Sequence, residues 1–348
     1  MQLPISEDIR RNRGYASVLS TAFKAVSGNF KTIFRKLWPF ALAFAIVAAF
    51  VLVRNVHYMR VDVAATMQQP GPAYWIELVV TTLLMIVTSI ALYGRIAMLM
   101  NGGRWRLNMT RSLKLHVFAI AVFIAVMACV SAACYIIYNV QLKAAEEEMS
   151  AYAAQASLPA TAPMLDTGPM VLASWVIIIV AGLLLLPYLY VGMKYLMAPT
   201  DGSGKKANRL RGLVFKAYGE GIRHYGYIFI TVLLLAIIVA AVTIVVSIPM
   251  MLLVIALGMA VGGAAMGDEL GLPGYFYPMM YAISVATYFI LTAATVYSMF
   301  VMSYMYGSIE TRIEEKRSLT EKQSAAGHEA NGNDSTRKRR SSGKYQYA

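Results

Sequence analysis

His57, His116, His224 and His328 are the only imidazoles in the chain, and no two stand at the short spacing that offers a pair of ligands to one metal ion. Cys129 and Cys134 lie five residues apart in one apolar run, on different sides of a helix, so a disulfide between them is not expected. There is no Gly-rich phosphate loop, no Gly-x-Ser-x-Gly elbow and no His-Glu-x-x-His helix. Without a nucleophile–base pair or a ligand set, the chain reads as a non-enzyme. No catalytic residue, cofactor or metal is expected.

Three polar constellations remain. Ser284, Thr287, Tyr288, Thr292, Thr295 and Ser298 recur at three- and four-residue steps in the last apolar run. They would line a polar groove, or simply hydrogen-bond between packed helices. Glu146-Glu147-Glu148 would gather a divalent cation, or form a solvated helix end. The Arg337–Arg340 run would meet anionic lipid or nucleic acid, but no folded nucleic-acid module accompanies it. No nucleic-acid partner is expected.

The elements that must position these residues follow from composition. Hydrophobic residues make up 58% of the 348 and charged residues only 14%, with mean hydropathy +0.57. A soluble domain carries about a quarter charged residues, so this is a polytopic membrane protein. Six runs are long and apolar enough to span: about Leu37–Val53, Trp75–Met100, Leu115–Leu142, Met170–Met197, Tyr225–Leu257 and Met280–Tyr306. Pro187 predicts a kink, and Pro249 predicts a break in the overlong fifth run. Glu77, Arg95 and Lys194 stand near span ends, where their charges are expected to snorkel.

Charge placement gives the orientation. Of the 31 Lys and Arg, 28 fall in the termini and the even-numbered connections; only Arg54, Arg60 and Lys143 fall in the odd ones. The first side carries +18 and the second −5, within the chain's net +13. The positive-inside rule then puts both termini in the cytoplasm. Trp38, Trp75, Trp105 and Trp175 sit where interfacial anchors belong. No removable signal peptide is expected at the N-terminus.

Before the first span, Gly14–Lys36 has the pattern of a basic amphipathic helix lying in a membrane surface. Tyr15, Val18, Leu19, Ala22, Phe23, Val26, Phe30, Ile33 and Phe34 share one face at helical spacing, with Lys24, Lys31 and Arg35 opposite. A similar stretch precedes the fifth span, with Lys216 and Arg223 off the apolar face; a weaker one, around Trp105, precedes the third. Returning spans end in Tyr93-Gly94-Arg95, Tyr190-Val191-Gly192 and Tyr306-Gly307. These echoes suggest three repeats, about 14–102, 103–200 and 208–309.

The run Phe23-Lys24-Ala25-Val26-Ser27-Gly28-Asn29-Phe30 resembles a motif of a loose group of bacterial six-span proteins. That group includes the membrane domain fused to some glycerophosphodiester phosphodiesterases and related inner-membrane families. The resemblance covers Gly14 to about Ile309 and implies a membrane fold alone, since the phosphodiesterase chemistry belongs to a separate domain.

The expected fold is an all-α membrane protein of six transmembrane helices. An N-terminal cytoplasmic arm, 1–13, precedes a membrane domain, 14–309, and a basic, largely disordered tail, 310–348, follows it. The expected role is non-enzymatic, in envelope or lipid homeostasis at a bacterial inner membrane. Lys24, Lys31, Arg35, Lys216 and Arg223 would meet anionic inner-leaflet lipid, with a protein partner or second copy as a further possibility. The alternative is a permease for a small uncharged or amphiphilic solute, with the Ser/Thr/Tyr stripe as its lining.

Overall fold

The computed structural model describes residues 9–64, 71–155, 167–198, 210–266 and 272–342. Among them all regular structure is α-helical. Two short helices, α1 (Tyr15–Gly28) and α6 (Leu210–Arg223), accompany six long ones: α2 (Phe30–Ala64), α3 (Pro72–Asn101), α4 (Trp105–Gln155), α5 (Gly168–Leu196), α7 (Tyr225–Ala265) and α8 (Phe276–Ser342). Each long helix contains one of the six apolar runs and is long enough to cross a membrane. The chain is a multi-pass membrane protein.

Several boundaries differ from the sequence expectation. Gly14–Lys36 is not one helix. Gly28 and Asn29 are weak helix formers, and the Asn29 side chain donates to the Ala25 carbonyl at 2.9 Å, closing the end of α1. Phe30, Ile33 and Phe34 therefore open the first spanning helix. Pro249 does not break α7, nor Pro39 α2. In an apolar medium one lost backbone bond costs less than ending the helix, which would strand a full set of donors and acceptors. The tail expected to be disordered continues α8 as helix to Ser342; its Glu, Lys, Arg, Gln and Ala residues are good helix formers.

The order short helix, span, returning span occurs as α1–α2–α3 and again as α6–α7–α8. Between them α4 runs unbroken from Trp105, so the middle stretch has no separate short helix. Each of the three stretches packs on a returning span: α1 on α8, the start of α4 on α3, and α6 on α5.

Most of the core lies at the end of the bundle that carries the N-terminus, here the terminal end. There Val18, Leu19 and Ala22 of α1 join Leu92 and Ile96 of α3, Tyr190 of α5, Ile228 of α7, and Phe300 and Tyr304 of α8. A smaller cluster at the far end joins Met250 and Leu257 of α7 to Phe276 and Met280 of α8. By contrast, the α4–α5 hairpin buries none of its most apolar 18-residue windows. Within the hairpin the Cys134 thiol meets Ser174 Oγ at 3.4 Å.

Pro187 shows how the terminal end is tied. Its ring denies a backbone donor to the Leu183 carbonyl one turn earlier. Tyr225 donates to Leu183 O at 3.1 Å, and Tyr218 to Leu184 O at 3.0 Å. Two phenols thus take up the carbonyls exposed at the proline.

Candidate functional site

The two short helices present their charges differently. On α1, Val18, Leu19 and Ala22 face α7 and α8 and are buried, while Phe23 is 64% exposed. The single apolar face drawn from the sequence therefore divides. One part packs on the bundle, and the aromatic part, continued by Phe30, Phe34 and Trp38, faces outward. Lys24, Lys31, Arg35 and Arg223 are exposed. The Lys216 side chain lies outside the described side chains.

Behind the outward aromatics is a cavity of about 230 Å³ between α2 and α8. Phe30, Phe34, Leu37 and Trp38 form one wall, Phe289 and Val296 the other, and Leu92 closes the back. Phe34 meets Phe289 edge-on across it, with centroids 6.2 Å apart. The lining is apolar save for Thr292. An alkyl chain suits it, since lining atoms without neighbours forfeit their contacts.

Of the α8 stripe, Thr292 alone lines that cavity. Ser284 is fully buried and donates to Met280 O at 2.6 Å; Thr292 donates to Phe289 O at 2.6 Å. Thr295 and Ser298 donate to Leu291 O and Ala294 O. All four bond within their own helix, and the Ser284 hydroxyl also lies 3.0 Å from Met250 Sδ of α7. Thr287 is buried and Tyr288 half-buried.

A group that the sequence left scattered is brought together at the terminal end. Lys194 Nζ, from the last turn of α5, lies 2.6 Å from Glu220 Oε2 on α6 and 2.8 Å from Glu310 Oε1 on α8. The Tyr190 hydroxyl donates to Glu310 at 2.6 Å and accepts from Lys194 at 3.2 Å. Arg317 approaches the other Glu220 oxygen at 3.9 Å. Lys194, expected to snorkel, is instead the cation of a three-helix ion cluster whose side chains keep only 15–25% exposure. Glu77 likewise pairs with Arg54, at 2.6 Å. Arg95 lies against the rings of Phe40 and Trp105, 5.7 and 5.5 Å from their centres. Nothing in the sequence spacing linked Lys194 to its carboxylates.

A second polar knot joins α3, α4 and α5. Asn101 Nδ2 donates to Asn108 Oδ1 at 2.8 Å and to Leu196 O at 3.0 Å. Arg111 Nη1 donates to Leu196 O and Ala198 O at 3.2 and 2.8 Å. Ser112 donates to Ile90 O at 3.0 Å. Here a guanidinium caps the carbonyl end of α5, where the helix dipole is negative.

Among the described residues no group of His, Cys, Asp and Glu is placed to hold a metal ion. Glu146 and Glu147 are exposed, and the Glu148 side chain lies outside the described ones. No protein-family model, curated protein or solved structure matches the chain.

Proposed function

We propose that this chain is a non-enzymatic membrane protein that holds anionic phospholipid, in the envelope or lipid homeostasis of a bacterial inner membrane. The observation that carries the reading is the apolar cavity between α2 and α8, flanked by exposed Phe30, Phe34 and Trp38. Exposed Lys31 and Arg35 stand on the same turns of α2. An acyl chain would enter the cavity while its headgroup meets the basic side chains. Each Lys or Arg near an anionic surface contributes about 1 kcal/mol, screened by salt. The charge distribution supports an orientation with both termini cytoplasmic.

Native mass spectrometry of the protein released from mixed vesicles tests this. Phosphatidylglycerol should be retained over phosphatidylcholine. Ala293→Phe, which fills the cavity, should abolish retention of either, and Lys31→Gln with Arg35→Gln should remove the preference. Equal retention of both lipids, unchanged by any variant, would sink the reading. Single cysteines test the orientation: Ala153→Cys and Asp268→Cys should react from outside intact cells, and Ser203→Cys and Ser341→Cys only after permeabilisation.

A further inference from the structure

From Leu78 to Ala145 the sequence contains no Asp or Glu, yet it places Arg95, Arg104, Arg106, Arg111 and Lys114 around the α3–α4 turn. Arg111 is the extreme case, with 2% of its surface exposed and no carboxylate within ion-pair distance among the described residues. Its Nη1 is spoken for by Leu196 O and Ala198 O. Among the described residues its buried Nε has no acceptor. The guanidinium lies 6.0 Å from the ring centre of Tyr195, whose hydroxyl is also buried without a partner. Tyr195 itself is fully enclosed.

A buried cation with no counter-charge is costly, and so is each buried donor left unmade. The carbonyl end of α5 offers only about half an elementary charge in return. Arg111 Nε–H and the Tyr195 O–H are thus two buried donors without an acceptor, on side chains whose guanidinium and ring centre lie 6.0 Å apart. We propose that Arg111 and Tyr195 form an anion site: Nε–H and O–H donate to one oxygen of a phosphate-type anion, whose charge neutralises the guanidinium. Guanidinium groups suit oxyanions because the planar fork matches their geometry. Two sources supply that chemistry, free inorganic phosphate and the phosphodiester of a lipid headgroup. The site is separate from the α2–α8 cavity and does not depend on it.

The test is thermal unfolding of the full chain in neutral, phosphate-free detergent at constant ionic strength. Inorganic phosphate, or phosphatidylglycerol against phosphatidylcholine, is titrated in. The wild type should be stabilised saturably by one of them. A rise with inorganic phosphate in lipid-free protein identifies the free ion, and a rise with phosphatidylglycerol alone identifies the headgroup. Tyr195→Phe and Arg111→Lys should each raise the half-saturating concentration by at least about tenfold, the loss expected for one charge-assisted hydrogen bond. Lys322→Gln, on an exposed part of α8, should leave it unchanged. If Arg111→Lys fails to fold, Tyr195→Phe decides alone. No saturable rise in the wild type, or an equal rise in the wild type and Tyr195→Phe, would overturn the site.

Discussion

Lys194 Nζ stands 2.6 Å from Glu220 Oε2, so one side chain in the last turn of α5 anchors the whole of α6. With Glu310 on α8 the pair becomes a triad, in which one ammonium faces two carboxylates and a phenol. Lys194→Met would leave the carboxylates confronting each other. Removing one partner of a buried ion pair costs about 3–5 kcal/mol. Partial exposure places the expected loss here lower, at about 2 kcal/mol. Thermal unfolding in detergent measures it, and Glu220→Gln added to Lys194→Met should restore part of the loss. A Lys194→Met variant as stable as the wild type would show that the triad holds nothing.

The docking of α6 also depends on close approach. A Cβ at Gly221 would stand 3.1 Å from Pro187 Cβ and 3.2 Å from its carbonyl oxygen, whereas one at Gly219 meets open space. Gly221→Ala should destabilise by about 1–3 kcal/mol through overpacking. Gly219→Ala should be neutral or stabilise by up to about 1 kcal/mol, from helix propensity. Equal effects of the two substitutions would refute this packing.

His224, at the junction of α6 and α7, gives a pH dependence. Burial lowers its pKa below the ordinary 6.5, and Lys316, Arg312 and Arg223 push the same way against Glu220. The fold therefore favours neutral imidazole, and the unfolded chain takes up the proton first. This contribution is complete above about pH 6.5 and declines as pH falls through that value toward the depressed folded pKa. Unfolding temperature should drop between about pH 7.5 and about pH 5.5, and less steeply in His224→Gln. Identical pH profiles would remove the assignment.

Replacing Thr292 and Thr295 with Val removes two hydroxyls that donate within α8. Interhelical hydrogen bonds in membranes average about 0.6 kcal/mol, and these do not cross between helices. The pair should cost under about 1 kcal/mol in a thermal melt. A larger loss would mean that the hydroxyls have a partner outside their own helix.

The spans were legible because uncharged runs of that length have few alternatives, and all six fall where hydropathy puts them. Helix ends were less so. Gly28-Asn29 carries a stop signal, but the unbroken periodicity of aromatics across it concealed the change of helix. Pro249 misled because the rule for proline is set by water, where a helix can end at little cost. The candidate sites were hardest to see. Exposed Lys31 and Arg35 could be read from spacing. The Lys194 triad could not, because its members come from three helices and local patterning says nothing about which helices meet. Arg111 was visible only as one of five basic residues in a connection; its burial belongs to the fold.

The α4–α5 hairpin is rooted where Ser112 bonds to Ile90 O and Arg111 to the end of α5, and none of its most apolar windows is buried. From Ser112 to Leu142 is about 45 Å of helix at about 1.5 Å per residue. Mechanically it is a cantilever clamped at one end in a fluid. A tilt of about ten degrees at the clamp displaces the free end by about 8 Å, given that length. Whatever occupies the acceptor position beside Arg111 therefore sits at the fulcrum. Small changes there are amplified across the full thickness of the bilayer.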